Sequence, residues 1–170
     1  MGQCATRLGC LAMLLLFAGS ACGQSREREP SAILEIGGAG EWGLKGGSSY
    51  GPSLSAEITP IPDVLELEAG VTPFFSHGRT EWDSDLLFKK PYTLSDTTEF
   101  MFGLGPSWSH TLGGGKTTDT FGATAALDFM FWPWRARTVG WFIEPSYGYS
   151  FGTGHEQSLS MSVGLLIPIP

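Results

Sequence analysis

The sequence predicts an all-β fold, a closed antiparallel up-and-down barrel of about eight strands. Segments in which apolar and polar residues alternate recur along the chain. In the clearest, residues 120–131, Phe121 and Leu127 occupy one parity and Asp128 occupies the other. Alternation with a period of two is typical of a β-strand with one apolar and one polar face. Several segments exceed the usual strand length of about 5–6 residues, and long recurring strands favour a sheet that closes on itself.

Residues 1–23 have the three-part pattern of a secretory signal peptide. Arg7 lies in a short amino-terminal region, residues 8–17 are mainly apolar, and residues 18–23 are small. This pattern predicts export, with cleavage after Ala21 or Gly23. Residues 24–31 are polar, and we expect a flexible lead-in there. A single barrel domain over residues 32–170 follows.

All three cysteines, Cys4, Cys10 and Cys22, lie within this leader. After cleavage the chain keeps none of them, or only Cys22 if the protein is a bacterial lipoprotein whose first mature residue is a lipidated cysteine. Gly19 stands where lipoproteins usually have Leu, Val or Ile, so we favour cleavage without lipidation. The mature chain therefore has no disulfide framework and no site built on several cysteines.

The chain is acidic, with a formal net charge of −7. An acidic chain without a basic cluster argues against nucleic-acid binding, and we expect neither a nucleic-acid partner nor a cofactor. No segment after the leader approaches the roughly 18 apolar residues of a transmembrane helix. These features leave an exported barrel, either in a membrane or soluble.

The individual strands follow from the alternation, taken segment by segment. Predicted strands one to eight cover residues 32–43, 50–60, 64–76, 85–94, 99–110, 120–131, 139–151 and 158–169. Large residues on their apolar parities are, in order, Leu34 and Ile36; Leu54 and Ile58; Leu65, Leu67 and Val71; Leu86, Phe88 and Tyr92; Phe100, Phe102 and Leu104; Phe121, Leu127 and Phe129; Val139, Trp141 and Ile143; and Leu159, Val163 and Leu165. The pattern of strand four is the least regular.

Alternation alone allows the apolar parity to face inward, as in a soluble barrel, or outward to lipid, as in a membrane barrel. Three observations favour lipid: the leader, strand lengths near the roughly 9–11 residues that cross a bilayer at a tilt, and aromatic residues near strand ends. The residues predicted to form interfacial girdles are Trp42, Tyr92, Trp108, Trp132, Trp134 and Tyr147.

The links between strands predict an orientation. Links after strands two and four, at residues 61–63 and 95–96, are tight, and the link after strand six covers residues 133–137. Links after strands one, three and five hold residues 45–48, 77–81 and 112–116. Because membrane barrels have short periplasmic turns and longer external loops, the first group is predicted to lie in the periplasm and the second outside.

Among the carboxylates on the parity that would face the lumen, seven are singled out as a candidate cluster: Glu35, Glu57, Glu66, Glu68, Glu99, Asp128 and Glu144. Of the basic residues, only Lys89 shares this parity within a strand. Clustered carboxylates repel one another, which favours binding of a cation or water. We favour a hydrogen-bonded polar plug, with a cation site as the alternative. The interior of an eight-stranded barrel is just filled by side chains, so no wide pore is expected.

With its leader, its strand pattern and a final predicted strand within residues 155–170, the chain resembles the small eight-stranded outer-membrane barrels around the OmpA transmembrane domain and OmpX. It departs from them in ending Ile-Pro-Ile-Pro rather than in an aromatic residue. The resemblance implies an integral outer-membrane protein with a role in envelope integrity, adhesion or defence. A few related barrels modify lipids.

We therefore expect a bacterial outer-membrane barrel of structural or surface-interaction type that contacts outer-membrane lipid, with loops available to an extracellular or envelope partner. One alternative is a soluble or lipid-tethered periplasmic barrel that binds a small apolar ligand. Another is an enzyme that acts on envelope lipids. Ser109 and His110, or His155 and Ser158, supply residue types for a hydrolytic triad, but neither spacing is a recognised signature, so no catalytic residue is predicted.

Overall fold

The computed structural model describes residues 30–134 and 137–169. Its eight strands are β1 (Ala32–Gly43), β2 (Ser48–Ile61), β3 (Leu65–Ser76), β4 (Arg79–Ser95), β5 (Thr98–Gly113), β6 (Lys116–Phe131), β7 (Gly140–Ser150) and β8 (Gln157–Ile169). The predicted signal peptide with Cys22, and all of the lead-in except residues 30–31, lie outside the described residues. Among the residues described, no helix is long and apolar enough to cross a membrane.

The sheet closes on itself. Each strand pairs antiparallel with the next, and β1 also pairs with β8, from Ala32 opposite Ile169 to Gly43 opposite Ser158. The predicted fold class, strand count and up-and-down order are confirmed. We call the end where β1 begins and β8 ends the terminal end, and the opposite end the hairpin end.

Strands four, five and six are longer than predicted. β4 begins at Arg79 rather than at residue 85, and the β5–β6 hairpin extends to the pair Gly113 and Lys116. The extensions carry polar residues on both parities, so they lack the alternation that predicts a strand, and pairing with neighbouring strands holds them in the sheet. The prediction of long loops at 77–81 and 112–116 is therefore wrong, because only residues 77–78 and 114–115 form the turns.

Turn chemistry explains how the β5–β6 link is so short. Gly114 and Gly115 both have positive φ, 58° and 73°, as the two central residues of a type I′ hairpin turn require. At the terminal end, the link between β6 and β7 runs over residues 132–139, beyond the predicted 133–137. Turn length therefore does not distinguish the two ends, and the orientation inferred from it has no support in the structure.

The outer surface carries the large apolar residues. Phe121 is 68% exposed and Leu104 is 54% exposed, and the large apolar residues of the outward parity are exposed or half-buried on every strand. Neighbouring aromatic rings stack across strands, as Phe131 does on Trp141 at a centroid distance of 4.1 Å. We call this outward-facing apolar surface the belt.

The inward face is crowded, and some of its positions accept only glycine. Gly37 of β1 lies opposite Gly164 of β8. A methyl group added at Gly37 would collide with the carbonyl oxygen of Val163 and lie 2.9 Å from the Cα of Gly164. Glycine therefore allows β1 and β8 to approach closely where the barrel closes.

We predict that Gly37→Ala lowers the free energy of unfolding by about 1–3 kcal/mol, because it forces the closing strands apart. The matched control is Gly38→Ala, one residue along β1 on the outer face, where the added methyl would come no nearer than 3.7 Å to Gly51 O. That variant should lie within about 1 kcal/mol of the wild type. Urea unfolding followed by tryptophan fluorescence measures both, and equal midpoints would contradict the prediction.

Candidate functional site

Five of the seven predicted lumen carboxylates meet in the middle of the barrel. They come from five strands and are at most 8% exposed: Glu35, Glu57, Glu68, Asp128 and Glu144. Strand alternation turns each of them inward, and closure brings them together. Glu57 and Glu68 lie directly opposite each other on β2 and β3. Like charges in this position destabilise a strand pair, so the cluster needs a counter-charge.

Lys89 supplies that charge. Its side chain is fully buried, and its Nζ donates hydrogen bonds to Asp128 Oδ2 at 2.9 Å and to Glu144 Oε2 at 2.8 Å. The ammonium group also contacts Glu68 Oε2 and lies 3.6 Å from Glu57 Oε2. The sequence pattern singled out this lysine correctly, and the structure shows that it links β4 to β2, β3, β6 and β7.

The negative charge of the cluster exceeds what Lys89 can balance. Ser55 Oγ donates to Glu35 Oε2 at 2.7 Å, which satisfies one further oxygen. Five buried carboxylate oxygens have no hydrogen-bond partner, and one of them, Glu68 Oε2, is in ionic contact with Lys89. The other four are Glu35 Oε1, both oxygens of Glu57, and Asp128 Oδ1. Buried polar groups in folded proteins are nearly always partnered, so these four oxygens are an unusual feature of the cluster.

The remaining two predicted carboxylates are placed differently. Glu66 lies opposite Lys89 in the β3–β4 register, is only half-buried, and has its carboxyl group beside that of Glu57. Glu99 belongs to another group, near the terminal end. Arg137 binds it in a two-pronged ion pair, with Nη2–Oε1 at 2.7 Å and Nη1–Oε2 at 3.2 Å. The pattern missed Arg137 because it lies in a link, where alternation says nothing about direction.

An apolar layer fills the interior beside this ion pair. Its members are all buried and come from the inward parity and the β6–β7 link: Ile33, Met101, Met130, Trp132, Phe142 and Leu166. The inward parity is therefore not uniformly polar. Met130 shares its parity with Asp128, so the sequence already placed a large apolar residue on the inward face. The prediction of a polar lumen gave more weight to the carboxylates on the same parity.

Trp132 was wrongly predicted to lie in an outer girdle. It is fully buried, its Nε1 donates to Glu99 Oε2 at 3.4 Å, and the Arg137 guanidinium lies 5.5 Å from its ring centroid. The link after β6 turns this ring into the barrel mouth. The other predicted girdle residues are exposed, and their role at a membrane interface stays a prediction: Trp42, Tyr92, Trp108, Trp134 and Tyr147.

The hairpin end, by contrast, is open and polar. A cavity of about 290 Å³ there is lined by residues that include Glu41, Lys45, Arg79 and Asp83. A second cavity, of about 60 Å³, shares Glu41 and Asp83 with the first and extends to Glu35, Glu68 and Glu144. The lumen is thus a polar recess that reaches the central cluster from one end and is closed by apolar side chains at the other.

The candidate hydrolytic residues do not assemble. Ser109 points inward and donates to Asp83 Oδ1 at 2.9 Å, whereas His110 points outward and pairs with Asp119 at 2.8 Å. Adjacent residues of a strand face opposite sides, so Ser109 and His110 cannot act together. His155 lies in the link after β7 and bonds to the hydroxyl of Tyr149.

No protein-family model matches the chain, and no curated protein matches it in sequence. The fold does match solved structures. Neisserial surface protein A is 13% identical with a TM-score of 0.64, over 81% of this chain and 96% of that one. Ail, the attachment invasion locus protein of Yersinia pestis, is 12% identical with a TM-score of 0.55, over 82% and 98%.

The outer-membrane enzyme PagL is similar to the same degree, 13% identical with a TM-score of 0.53, over 79% of this chain and 99% of that one. The chain thus has the fold of the small eight-stranded outer-membrane barrels, as the sequence pattern predicted. At these identities the likeness concerns the fold, and it transfers no activity or binding partner.

We predict that Lys89→Met lowers the free energy of unfolding by about 3–5 kcal/mol, because it leaves buried carboxylates without their counter-charge. Lys90→Met is the matched control, since Lys90 is the next residue of β4 and bonds at the surface to the carbonyl oxygen of Asp63. That change should cost less than about 1 kcal/mol. Urea titrations compare the two, and an unchanged midpoint for Lys89→Met would show that the cluster does not depend on the lysine.

We also predict that Trp132→Ala costs about 3–5 kcal/mol, because it empties a buried site that packs on the apolar layer. Trp134→Ala, two residues along the same link, removes a ring that is 60% exposed and should cost less than about 1 kcal/mol. Thermal unfolding of both variants provides the measurement. Equal losses would place Trp132 outside the barrel interior.

Proposed function

We propose that the protein is an integral outer-membrane β-barrel of structural or surface-interaction type, with a narrow acidic lumen and no wide pore. The observation that carries this proposal is the belt. Every strand contributes large apolar residues to the outer surface while the carboxylates face inward. A contiguous apolar surface larger than a few hundred Å² is rare on proteins that live in water and marks contact with a membrane or a partner.

Barrel closure makes this surface compatible with lipid. A bilayer core offers no hydrogen bonds to the backbone, so a sheet can cross it only when no edge is left unpaired. The β1–β8 ladder meets this condition through most of the barrel height. The similarity in fold to outer-membrane proteins supports the same location.

Aromatic side chains lie toward both ends of the belt. Exposed Trp42 and Trp108 lie toward the hairpin end, and exposed Tyr92 and Trp141 lie toward the terminal end. Trp and Tyr are enriched at the two membrane–water interfaces, where an apolar ring and a polar atom are both accommodated. This distribution supports an orientation with the barrel axis across the bilayer.

The hairpin end is the surface we propose for contact with a partner. The β4–β5–β6 extensions carry polar and charged groups there, including the Arg79–Glu81 ion pair at 2.6 Å. Two of the similar structures are named as a surface protein and as an attachment invasion locus protein, which is consistent with a surface role for this fold. The partner itself is defined only by its location, outside or within the envelope.

The two alternatives have less support. A soluble barrel that binds an apolar ligand needs an apolar interior cavity, whereas the recess in the described part of this barrel is polar and its apolar layer is filled by side chains. The enzymatic alternative has a precedent in this fold to the extent that one similar structure is the outer-membrane enzyme PagL. We propose a non-catalytic role because Ser109 and His110 face opposite sides of the sheet.

Cell fractionation tests the location. We expect the protein in the outer-membrane fraction, extracted only by detergent, with electrophoretic mobility that changes on heating. Recovery in the soluble periplasmic fraction would overturn the proposal. Comparison of envelope lipids from cells with and without the gene tests the enzymatic alternative, and we expect identical lipid profiles.

We predict that Leu104→Arg makes folding into phosphatidylcholine bilayers less favourable by about 2–4 kcal/mol, the cost of placing arginine on the lipid face near the midplane. Leu104 is outward-facing in the middle of β5. Leu112→Arg is the control, because Leu112 lies on the same strand and face beside the hairpin turn and is also exposed. It should cost at most about 1 kcal/mol.

The same two variants, Leu104→Arg and Leu112→Arg, test whether the belt is surrounded by lipid or by water. Both leucines are exposed, 54% for Leu104 and 42% for Leu112, so in water neither substitution should change stability by more than about 0.5 kcal/mol. Equal small effects in bilayers would therefore contradict the membrane location of the belt.

A further inference from the structure

We propose that the central cluster is a binding site for one hard divalent cation, with Ca²⁺ the preferred ion, held by Glu35, Glu57, Glu68 and Asp128 beside the Lys89 ammonium group. Each of the four carboxylates offers one oxygen, and the four oxygens all lie within 4.8 Å of one another. Ca²⁺ binds carboxylate oxygens at about 2.3–2.6 Å. Two oxygens on opposite sides of one ion are then about 5 Å apart, so the cluster has the span of a calcium shell.

The oxygens that lack partners are a second observation that points to a ligand. Lys89 is already shared among Glu68, Asp128 Oδ2 and Glu144. Both oxygens of Glu57, which is 1% exposed, have no hydrogen-bond donor, and the same holds for Glu35 Oε1 and Asp128 Oδ1. A cation between these groups would supply the missing partner to three of the four carboxylates at once.

The charge balance supports the same conclusion. In the described part of the chain, the cluster holds five carboxyl groups against the ammonium group of Lys89. The carboxyl group of Glu66 lies beside Glu57 and adds further negative potential. Uncompensated charge is costly to bury. A divalent ion would lower that cost even though Lys89 lies nearby, because the carboxylates outnumber the lysine.

The donor chemistry selects the class of ion. The four ligands are carboxylates, and the group contains no histidine or cysteine, which disfavours zinc and copper. Mg²⁺ demands near-ideal octahedral geometry, whereas Ca²⁺ accepts irregular shells of carboxylate oxygens. The polar recess from the hairpin end reaches Glu35 and Glu68, so a hydrated ion has a path to the site.

The test is Ca²⁺ binding to the refolded full chain, measured by isothermal titration calorimetry with Mg²⁺ and Zn²⁺ titrated separately. We expect one Ca²⁺ per chain, weaker Mg²⁺ binding, and a loss of affinity of at least about 10-fold for Glu57→Gln. Glu99→Gln is the matched control, because Glu99 also faces the lumen but is held by Arg137, and it should bind Ca²⁺ like the wild type.

A second measurement guards against variants that fail to fold. Ca²⁺ should raise the urea midpoint of the wild type, since a ligand that binds only the folded state stabilises it, and should leave the midpoint of Glu57→Gln or Glu35→Gln unchanged. Lys89→Met should bind Ca²⁺ more tightly, because a neighbouring positive charge is removed.

Absence of Ca²⁺ binding by the folded wild type, or equal binding by Glu57→Gln, would overturn the site. A proton shared between Glu57 and Glu66 would then account for the unpartnered carboxyl group of Glu57, and infrared absorption of a protonated carboxyl group would reveal it. Neither result affects the outer-membrane proposal, which rests on the belt and is tested separately by fractionation and by the Leu104 variants.

Discussion

The hydrogen-bonded ladder between β1 and β8 is the constraint on which the rest of the structure depends. Once these two strands pair, the sheet has an inside and an outside, and every side chain must belong to one of them. Alternation along each strand then sorts the chain: the large apolar residues form the belt, and the carboxylates enter a space only a few side chains wide. Glycines such as Gly37 are needed because closure brings neighbouring backbones into contact on the inner face.

Closure also explains why Lys89 alone contacts so many of the buried carboxylates. The interior joins carboxylates from strands that are distant in sequence, and in that confined space their repulsion is strong. Lys89 contacts acidic groups from β2, β3, β6 and β7, so it links strands on opposite sides of the barrel. A buried ion pair contributes little net stability, but removal of one partner is severe. The cluster is therefore better understood as a condition for closure than as a source of stability.

The lumen is asymmetric along its axis. The apolar layer, together with the Glu99–Arg137 ion pair, closes the terminal end, whereas the hairpin end remains open to water. An ion or small solute can approach the central carboxylates from one side only. This arrangement suits a site that holds an ion more than a channel that conducts one, and it is consistent with the narrow interior of an eight-stranded barrel.

The sequence by itself determined the strand count, the closed fold and which residues of a strand share a face, including Lys89 with the carboxylates, because these follow from local alternation with a period of two. Alternation left open which face is outside, and the closed structure decided that the carboxylates and Lys89 face inward. Tertiary structure alone decided which inward residues meet. Glu99 separates from the other carboxylates and Trp132 enters the barrel mouth because the register between strands and the path of the β6–β7 link determine contacts across the lumen. The lengths of β4, β5 and β6 were likewise decided by pairing with neighbours, since their polar extensions carry no local signal. Periodicity specifies the face on which a side chain lies, but not the height at which it meets the others.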